Sequence, residues 1–541
     1  MKKLFVITVG TMLAVSTNTA TAGGILTNTN QSIDFLRNPA RDAAIGLDGV
    51  YSNPAGVAFL PEGFHLGINW QYAHQTRTIE STNPAFALGR KNNGQQTKTF
   101  EGVADAPCIP SVQAAWNKGN WSVQFNLSVP GGGGKCEFSD GLGSFEGVVG
   151  EIAQKFMTLD QTAMTLNGLS AQLAPVYASP IATMAGVSQP AEIPTYGVAG
   201  YDMTGYMEGR QYYYGFQLGT AYKFNESFSI YGGLRLLYGT ATYKAKISNI
   251  MVKTSGGYVD FEDFLPNVPM QASQDAAAAQ SHLVLINAYE QAGQPMTDEL
   301  RAAQTQLKQG LAQLAESQGE MAKLSKYAQG VNLLCNQSSF GIAPIVGIDY
   351  KIGKFNFAAK YEFKTQIRMK NESTVNEASE IDAVNKYRDS EEVNEDAPAQ
   401  LALGAQWSPI DDVRVNVGYH HYFDKQADWY ANAQDKLDHD SNEYLAGAEW
   451  DVTDRLTVSL GGQLTRYGLT DEYMNDMSFV VNSYSVGFGF NYKATEKVVL
   501  KAGYFQTMYD TYNRTNYPTA GHHDSFTRTN RVLGIGCEVS L

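Results

Sequence analysis

The chain has 541 residues, 17% of them charged and 43% hydrophobic, with 52 Gly, 31 Tyr and a formal charge of −14. Aromatic residues reach 11%, which excludes a disordered chain, and an acidic balance without a basic stripe excludes a nucleic-acid binder. No apolar run of about 18 residues follows the first segment, so helical spans are excluded, leaving a soluble β protein or a membrane β-barrel.

The chain starts with basic Lys2 and Lys3, an apolar stretch from Leu4 to Val15, and small residues Ala20-Thr21-Ala22 before Gly23. This reads as a signal peptide over residues 1–22, exporting the mature protein from the cytoplasm of a Gram-negative cell. Its removal takes Lys2 and Lys3 away and moves the charge from −14 to −16. No Cys follows the cleavage site, so no lipid anchor is expected. The export compartment permits disulfides. Cys108, Cys136, Cys335 and Cys537 allow three full pairings, of which Cys108 with Cys136 is preferred.

Residues 23–60 carry Asn, Gly, Pro and small residues without strand alternation. They read as a plug or as a periplasmic arm. From there to residue 541 the pattern has period two. Phe64, Leu66, Ile68, Trp70 and Tyr72 alternate with His65, Gly67, Asn69 and Gln71. Trp121 to Val129 repeats it, as do Tyr484 to Tyr492 and Leu533 to Leu541. One face is apolar with aromatics at its ends and the other is small and polar. A soluble sandwich turns such an apolar face inward, whereas a membrane barrel turns it to lipid.

Fourteen strands are expected, starting near Gly63, Ile109, Trp121, Gln211, Phe228, Gly341, Phe355, Pro398, Val413, Asn442, Leu456, Asn482, Val498 and Thr529. Their links alternate between short turns and long segments at 78–108, 131–210, 250–340, 370–397, 425–441, 467–481 and 508–528. Short turns on one rim and long loops on the other indicate an all-β, antiparallel, transmembrane barrel over residues 61–541. A barrel of this size is too wide for side chains alone to fill, so its lumen is open or plugged.

Within the insert 250–340, Thr297 after Pro295 predicts a helix N-cap, and Leu307, Leu311 and Leu314 fall on one face, with Met321 and Leu324 beyond and a stop at Gly330. The expected amphipathic helix, paired with residues 273–292, either caps the barrel mouth or packs only on its own hairpin.

Chemistry-bearing motifs are sparse. Neither a P-loop nor GxSxG occurs, so no cofactor and no enzyme activity is expected. His420 and His421 are neighbours on a strand and point to opposite faces. His522 and His523 lie in the last external loop, where they are weak metal candidates. A polar porin and an outer-membrane hydrolase are the competing functions. The inward charges Arg235, Lys360, Glu362, Arg414, Glu449 and Lys501 either touch a ligand carboxylate or form lumenal ion pairs.

Ser52-Asn53-Pro54-Ala55-Gly56-Val57-Ala58, just before the first strand, and Ala43-Ala44 upstream resemble the hatch of the FadL-type outer-membrane transporters. The resemblance extends along the chain through Pro110-Ser111-Val112, the third strand ending in Gly131 to Phe138, and the helix-bearing loop. It implies an N-terminal hatch over residues 23–60 and passive transport of hydrophobic small molecules, fatty acids or aromatic compounds. Loops capture the ligand, and an inner pocket binds it beside the hatch N-terminus, which maps to Gly23, Ile25 and Leu26. A kink in the third strand, mapping to Gly131, Gly132, Gly133 and Gly134, opens the wall for lateral exit. The hatch motif maps to Asn53, Pro54 and Ala55, a stiff turn. The glycines and the preceding Pro130 suit a broken ladder, or else a flexible loop above the strand. The expected partners are a hydrophobic ligand, outer-membrane lipid and lipopolysaccharide, and the barrel-assembly machinery, with the chain as a monomer. Two features depart from the family: the chain ends in Leu541 rather than an aromatic residue, and loop 131–210 is long and rich in Ala, Met and Gln.

Overall fold

The structure is a computed structural model that describes residues 27–312, 330–377 and 385–541. The expected signal peptide, Gly23, Ile25, Leu26, Leu314, Met321 and Leu324 lie outside the described residues.

In chain order the strands are β1 (Gly63–Thr82), β2 (Thr97–Lys118), β3 (Trp121–Phe138), β4 (Gly200–Asn225), β5 (Phe228–Thr254), β6 (Gly257–Asp260), β7 (Val331–Ile352), β8 (Phe355–Glu362) and β9 (Arg368–Ser373). They continue with β10 (Glu392–Asn394), β11 (Gln400–Ile410), β12 (Val413–Tyr422), β13 (Asn442–Thr453), β14 (Leu456–Arg466), β15 (Ser483–Lys493), β16 (Val498–Tyr509), β17 (Tyr512–Arg514) and β18 (His523–Ser540). The short strands β6, β9, β10 and β17 are loop hairpins and edges. The other fourteen pair antiparallel in sequence order, and β1 pairs with β18 to close the barrel. Each matches one of the fourteen strands expected from alternation.

The apolar face points out. Ile68 is 55% exposed and Trp70 39%, whereas the intervening Asn69 is 5% exposed and the following Gln71 1%. A greasy exterior on a closed ladder is stable only against acyl chains, where every backbone polar group finds its partner between strands. Aromatic rings gird this band at two heights. Trp121 meets Tyr222 at 4.7 Å near the short turns, and Tyr238 meets Phe340 at 4.8 Å nearer the loops. Tyr214 and Tyr222 on β4 are separated by roughly 26 Å at the usual strand rise, close to the thickness of hydrocarbon an outer-membrane barrel spans. Among the described residues no helix is long and apolar enough to cross a membrane; the chain crosses with strands, as an outer-membrane barrel.

Several strands continue past the lipid band. β2 begins at Thr97 rather than Ile109, β4 at Gly200 rather than Gln211, and β7 at Val331 rather than Gly341. There the outer face turns polar, as with Thr76, Thr78 and Glu80 of β1, and the sequence loses its alternation.

The long loops fold over the mouth. Phe86, Phe100, Trp429, Phe479 and Phe526 form an apolar lid between strand ends and loops. Above it stands a helical cap: α2 (Gly143–Tyr177), α3 (Pro180–Ala185), α4 (Phe261–Phe264) and α5 (Asn267–Gln291), followed by a helical stretch over 298–312. Thr297 caps that stretch as expected, accepting from Leu300 N at 3.3 Å. Its stripe does not cap the mouth. Leu307 and Leu311 pack on Leu285 and Ile286 of α5 and on Leu166 and Leu173 of α2. The sequence reading missed α2. Inside the cap Asp275 is fully buried, and neither carboxylate oxygen has a partner among the described residues. Burial first, and then Asp160 of α2, push its pKa up to about 7.

The four cysteines are free. Cys108 is exposed on β2 and Cys136 buried on β3, so the preferred disulfide does not form. The reason is register: the ladder sets Val103 against Glu137, which leaves Cys108 several residues along β2 from the position facing Cys136.

Candidate functional site

Residues 27–60 lie against the inner face of the barrel wall. α1 (Ile33–Arg37) is capped by Ser32, whose hydroxyl accepts from Phe35 N at 3.1 Å. Two 3₁₀ turns follow at Leu47–Val50 and Gly56–Phe59. The barrel wall makes room with inward glycines. A Cβ on Gly487 would collide with Leu36 O, and one on Gly447 with the Asn38 side chain.

Buried charge fixes this plug. Arg37 and Arg41 meet Glu449 of β13 at 2.7 and 2.9 Å, and Lys501 of β16 bridges Asp34 and Glu538 at 2.6 Å each. Arg414 pairs with Asp451 at 2.6 Å. Arg235 pairs with Glu362, and Lys360 donates to Tyr51 O at 2.9 Å. All six inward charges singled out in the sequence are therefore taken up in anchoring the plug or the wall. His420 sits between Asp42 and Glu443 at 2.8 Å each, another anchor of the plug. His522 stacks on Tyr517 at 3.6 Å.

Asn53-Pro54-Ala55 is an anchor as well as a turn. Asn53 accepts from Gly56 N at 3.2 Å and donates to Asp349 of β7 at 2.6 Å. Gln124 of β3 donates to Pro54 O at 2.8 Å, and Ser229 of β5 to Ala55 O at 2.7 Å.

The wall has one long break beside the plug's leading end. β2 and β3 are laddered from Lys118 and Trp121 up to Val112 and Leu127, and again at Val103 and Glu137. Between these points the two strands do not pair. Pro107 and Pro110 of β2 and Pro130 of β3 lie in the break and have no N–H to give. The glycine run completes it. Gly132 has φ +102° and Gly134 φ +70°, and the register of β3 against β4 shifts on both sides of Gly131. β3 then continues to Phe138, so the glycines form a bulge inside the strand rather than a loop above it.

The first described residues of the plug occupy the break. Thr27 bridges to Gly131 in antiparallel fashion, and Asn28 N donates to Pro130 O at 2.8 Å. The Gln31 amide side chain imitates a strand partner. It accepts from Val129 N at 2.9 Å and donates to Val129 O at 3.0 Å. Ser111 and Gln113 of β2 donate to Gln31 O at 2.7 and 2.9 Å. Sequence reading missed Gln31, and no motif marks it. It also missed the Pro107/Pro110 pair, although two prolines in one strand are a legible sign of broken pairing.

A cavity of about 200 Å³ lies at this junction, between Thr27–Asn30, the bulge at Gly132–Gly134 and Arg528 of β18. Phe35, Ile109, Phe505 and Val532 give it an apolar side. A smaller cavity of about 50 Å³ adjoins it across Gly133 and Gly134 and reaches Arg77. The sequence-predicted inner-pocket residues Gly23, Ile25 and Leu26 lie outside the described residues; Thr27, which follows them directly, lines the larger cavity. The structure brings the glycine run to this cavity and places Asn53-Pro54-Ala55 elsewhere, against β3, β5 and β7.

No protein-family model matches the sequence, and no curated protein sequence matches it. Among solved structures the chain is similar to a FadL homologue of Pseudomonas aeruginosa, at 9% identity over 96% of this chain and 100% of that chain, with a TM-score of 0.55. It is also similar to the P. putida toluene transporter TodX, at 11% identity over 92% and 94% of the two chains with a TM-score of 0.48. The CymD monoaromatic hydrocarbon channel follows at 12% identity over 94% and 98%, with a TM-score of 0.45. The first of these likenesses assigns the chain the FadL-type barrel fold.

Proposed function

We propose that this protein carries hydrophobic small molecules passively across the outer membrane. A ligand leaves water among the external loops, rests in the cavity at the leading end of the plug, and leaves sideways into the bilayer between β2 and β3. The observation that carries this reading is the unpaired stretch of wall between Val103 and Val112 on β2, covered from inside by residues 27–31. Only side chains and a few hydrogen bonds close the barrel there, and the cavity lies directly behind. Burial of each CH₂ contributes about 0.8 kcal/mol, so an apolar chain moves from water to cavity to lipid without an energy source. The solved neighbour that shares the fold is, in its own description, a FadL homologue, which agrees with the resemblance of the hatch and supports a hydrophobic cargo.

The test is uptake of a labelled long-chain fatty acid and of labelled toluene by cells whose only such channel is this protein. Uptake of either, lost when Gly131 to Gly134 are replaced by valines, is the expected result. Large, steady ionic conductance in planar bilayers without hydrophobic uptake would make the protein a porin. Ester hydrolysis by the purified barrel would make it an enzyme.

A further inference from the structure

We infer that Arg77 and Arg528 form a receptor for the anionic headgroup of an amphiphilic ligand. The inference rests on the transport reading and names the substrate class of that same cavity. Arg77 of β1 and Arg528 of β18 are direct cross-strand partners, so two guanidiniums enter the lumen side by side. Like charges placed opposite each other on a sheet repel. Elsewhere in the lumen Arg37, Arg41, Arg235, Arg414 and Lys501 each have a carboxylate, and Lys360 donates instead to Tyr51 O. Arg77 has none among the described residues, although it is only 9% exposed and its Nε is buried without a hydrogen-bond partner. Arg528 donates to Phe479 O at 3.2 Å and Gln75 Oε1 at 3.1 Å, both neutral, and its Nε is likewise unpartnered.

The carboxylates that line the two cavities are committed elsewhere. Glu443 accepts from His420, Tyr422 and Gln463. Glu395 is held by Lys386 at 2.6 Å. Asp105 accepts from Tyr72 and His74. A buried cation without a counter-charge is costly, and an added anion removes that cost for both arginines at once. Guanidinium forks suit carboxylate and phosphate groups because they donate in pairs. The space agrees with the charge. The Arg77 guanidinium lies against Gly133, where a Cβ would fall 2.6 Å from Nη2, and Arg528 borders the larger cavity, whose lining includes Phe35, Ile109 and Phe505. Two guanidiniums beside a partly apolar cavity fit a chain with one acidic end better than a neutral hydrocarbon.

The experiment measures binding of dodecanoate, dodecyl phosphate and dodecanol to the full-length protein in a nonionic detergent. Both anions should bind roughly ten- to a hundredfold more tightly than the alcohol, the range expected of charge-assisted hydrogen bonds. The paired change Arg77→Gln with Arg528→Gln should abolish that preference, bringing both anions to the affinity of dodecanol. A heat-modifiable band on gels checks that this variant remains a folded barrel, and Arg77→Lys should keep part of the preference. Tighter binding of dodecanoate than of dodecyl phosphate would identify a free carboxylic acid, and the reverse order a phosphate headgroup. Equal binding of all three by the wild type, or a preference surviving in the double variant, overturns the inference while the transport reading stands. Binding of none of the three overturns the transport reading as well.

Discussion

The body of the plug and its leading strip touch the same barrel in opposite ways. Residues 34–48 are held by buried ion pairs to β13 and β16 through Glu449 and Lys501, and wall glycines admit their backbone. Residues 27–31 are held by a handful of neutral hydrogen bonds to a stretch of β3 that β2 has abandoned. Removing one partner of a buried ion network is expensive; exchanging a neutral hydrogen bond for one to water or ligand is nearly balanced. The same segment therefore contains a part held by charge and a part held by neutral bonds, and the second lies over the unpaired stretch between β2 and β3.

The largest effect should come from the fixed part. Glu449→Ala leaves Arg37 and Arg41 short of a shared partner and should cost about 3–5 kcal/mol, read as a lower denaturation midpoint of the purified barrel. An unchanged midpoint would show that charge does not hold the plug. Gly487→Ala sets a methyl group against Leu36 O and should cost about 1–3 kcal/mol as the plug shifts to relieve it, seen in the same unfolding assay. The cap offers the converse of the ion-paired plug, a buried carboxyl with no partner among the described residues. Asp275 keeps its proton up to about pH 7 when folded, against an ordinary value of 3.8. The cap should thus be most stable in acid and weaken as pH rises through 7. Asp275→Asn should remove this dependence and stabilise the cap at pH 8 by on the order of 2 kcal/mol, measured by amide exchange along α5. Protection that is the same at pH 5 and pH 8 in the wild type would contradict it. The smallest effect belongs to the strip. Gln31→Ala should cost about 1 kcal/mol locally, appearing as faster exchange of the Val129 amide with no shift of the global transition.

The barrel was legible because lipid outside and polar plug inside impose alternation on each strand, as with Ile68 and Trp70 against Asn69 and Gln71. It became illegible above the lipid band, where Thr76, Thr78 and Glu80 make the outer face of β1 polar and Arg77 and Ile79 mix charge and apolar bulk on the inner one. α2 was hidden for a related reason. Glu146, Gly147, Gly150, Asp160 and Ser170 interrupt its buried face, and Pro175 lies within the helix. The glycine bulge could be read from four consecutive residues without side chains, and its place inside β3 only from the structure. Charges were visible one by one, but their partners were not. Arg235 and Lys501 are consumed by residues far away in sequence, whereas Arg77 and Arg528 stand out only when the closing pair of strands puts them side by side. Gln31 is a single side chain acting on backbone, which leaves no trace in composition or spacing.

The strip of residues 27–31 is tested most directly by locking it in place. Thr27→Cys with Gly131→Cys puts a thiol on each side of the bridge that closes the opening. Uptake of the hydrophobic cargo should stop when this pair is oxidised and return on reduction. Uptake that continues at the wild-type rate with the strip covalently held to β3 would contradict the account.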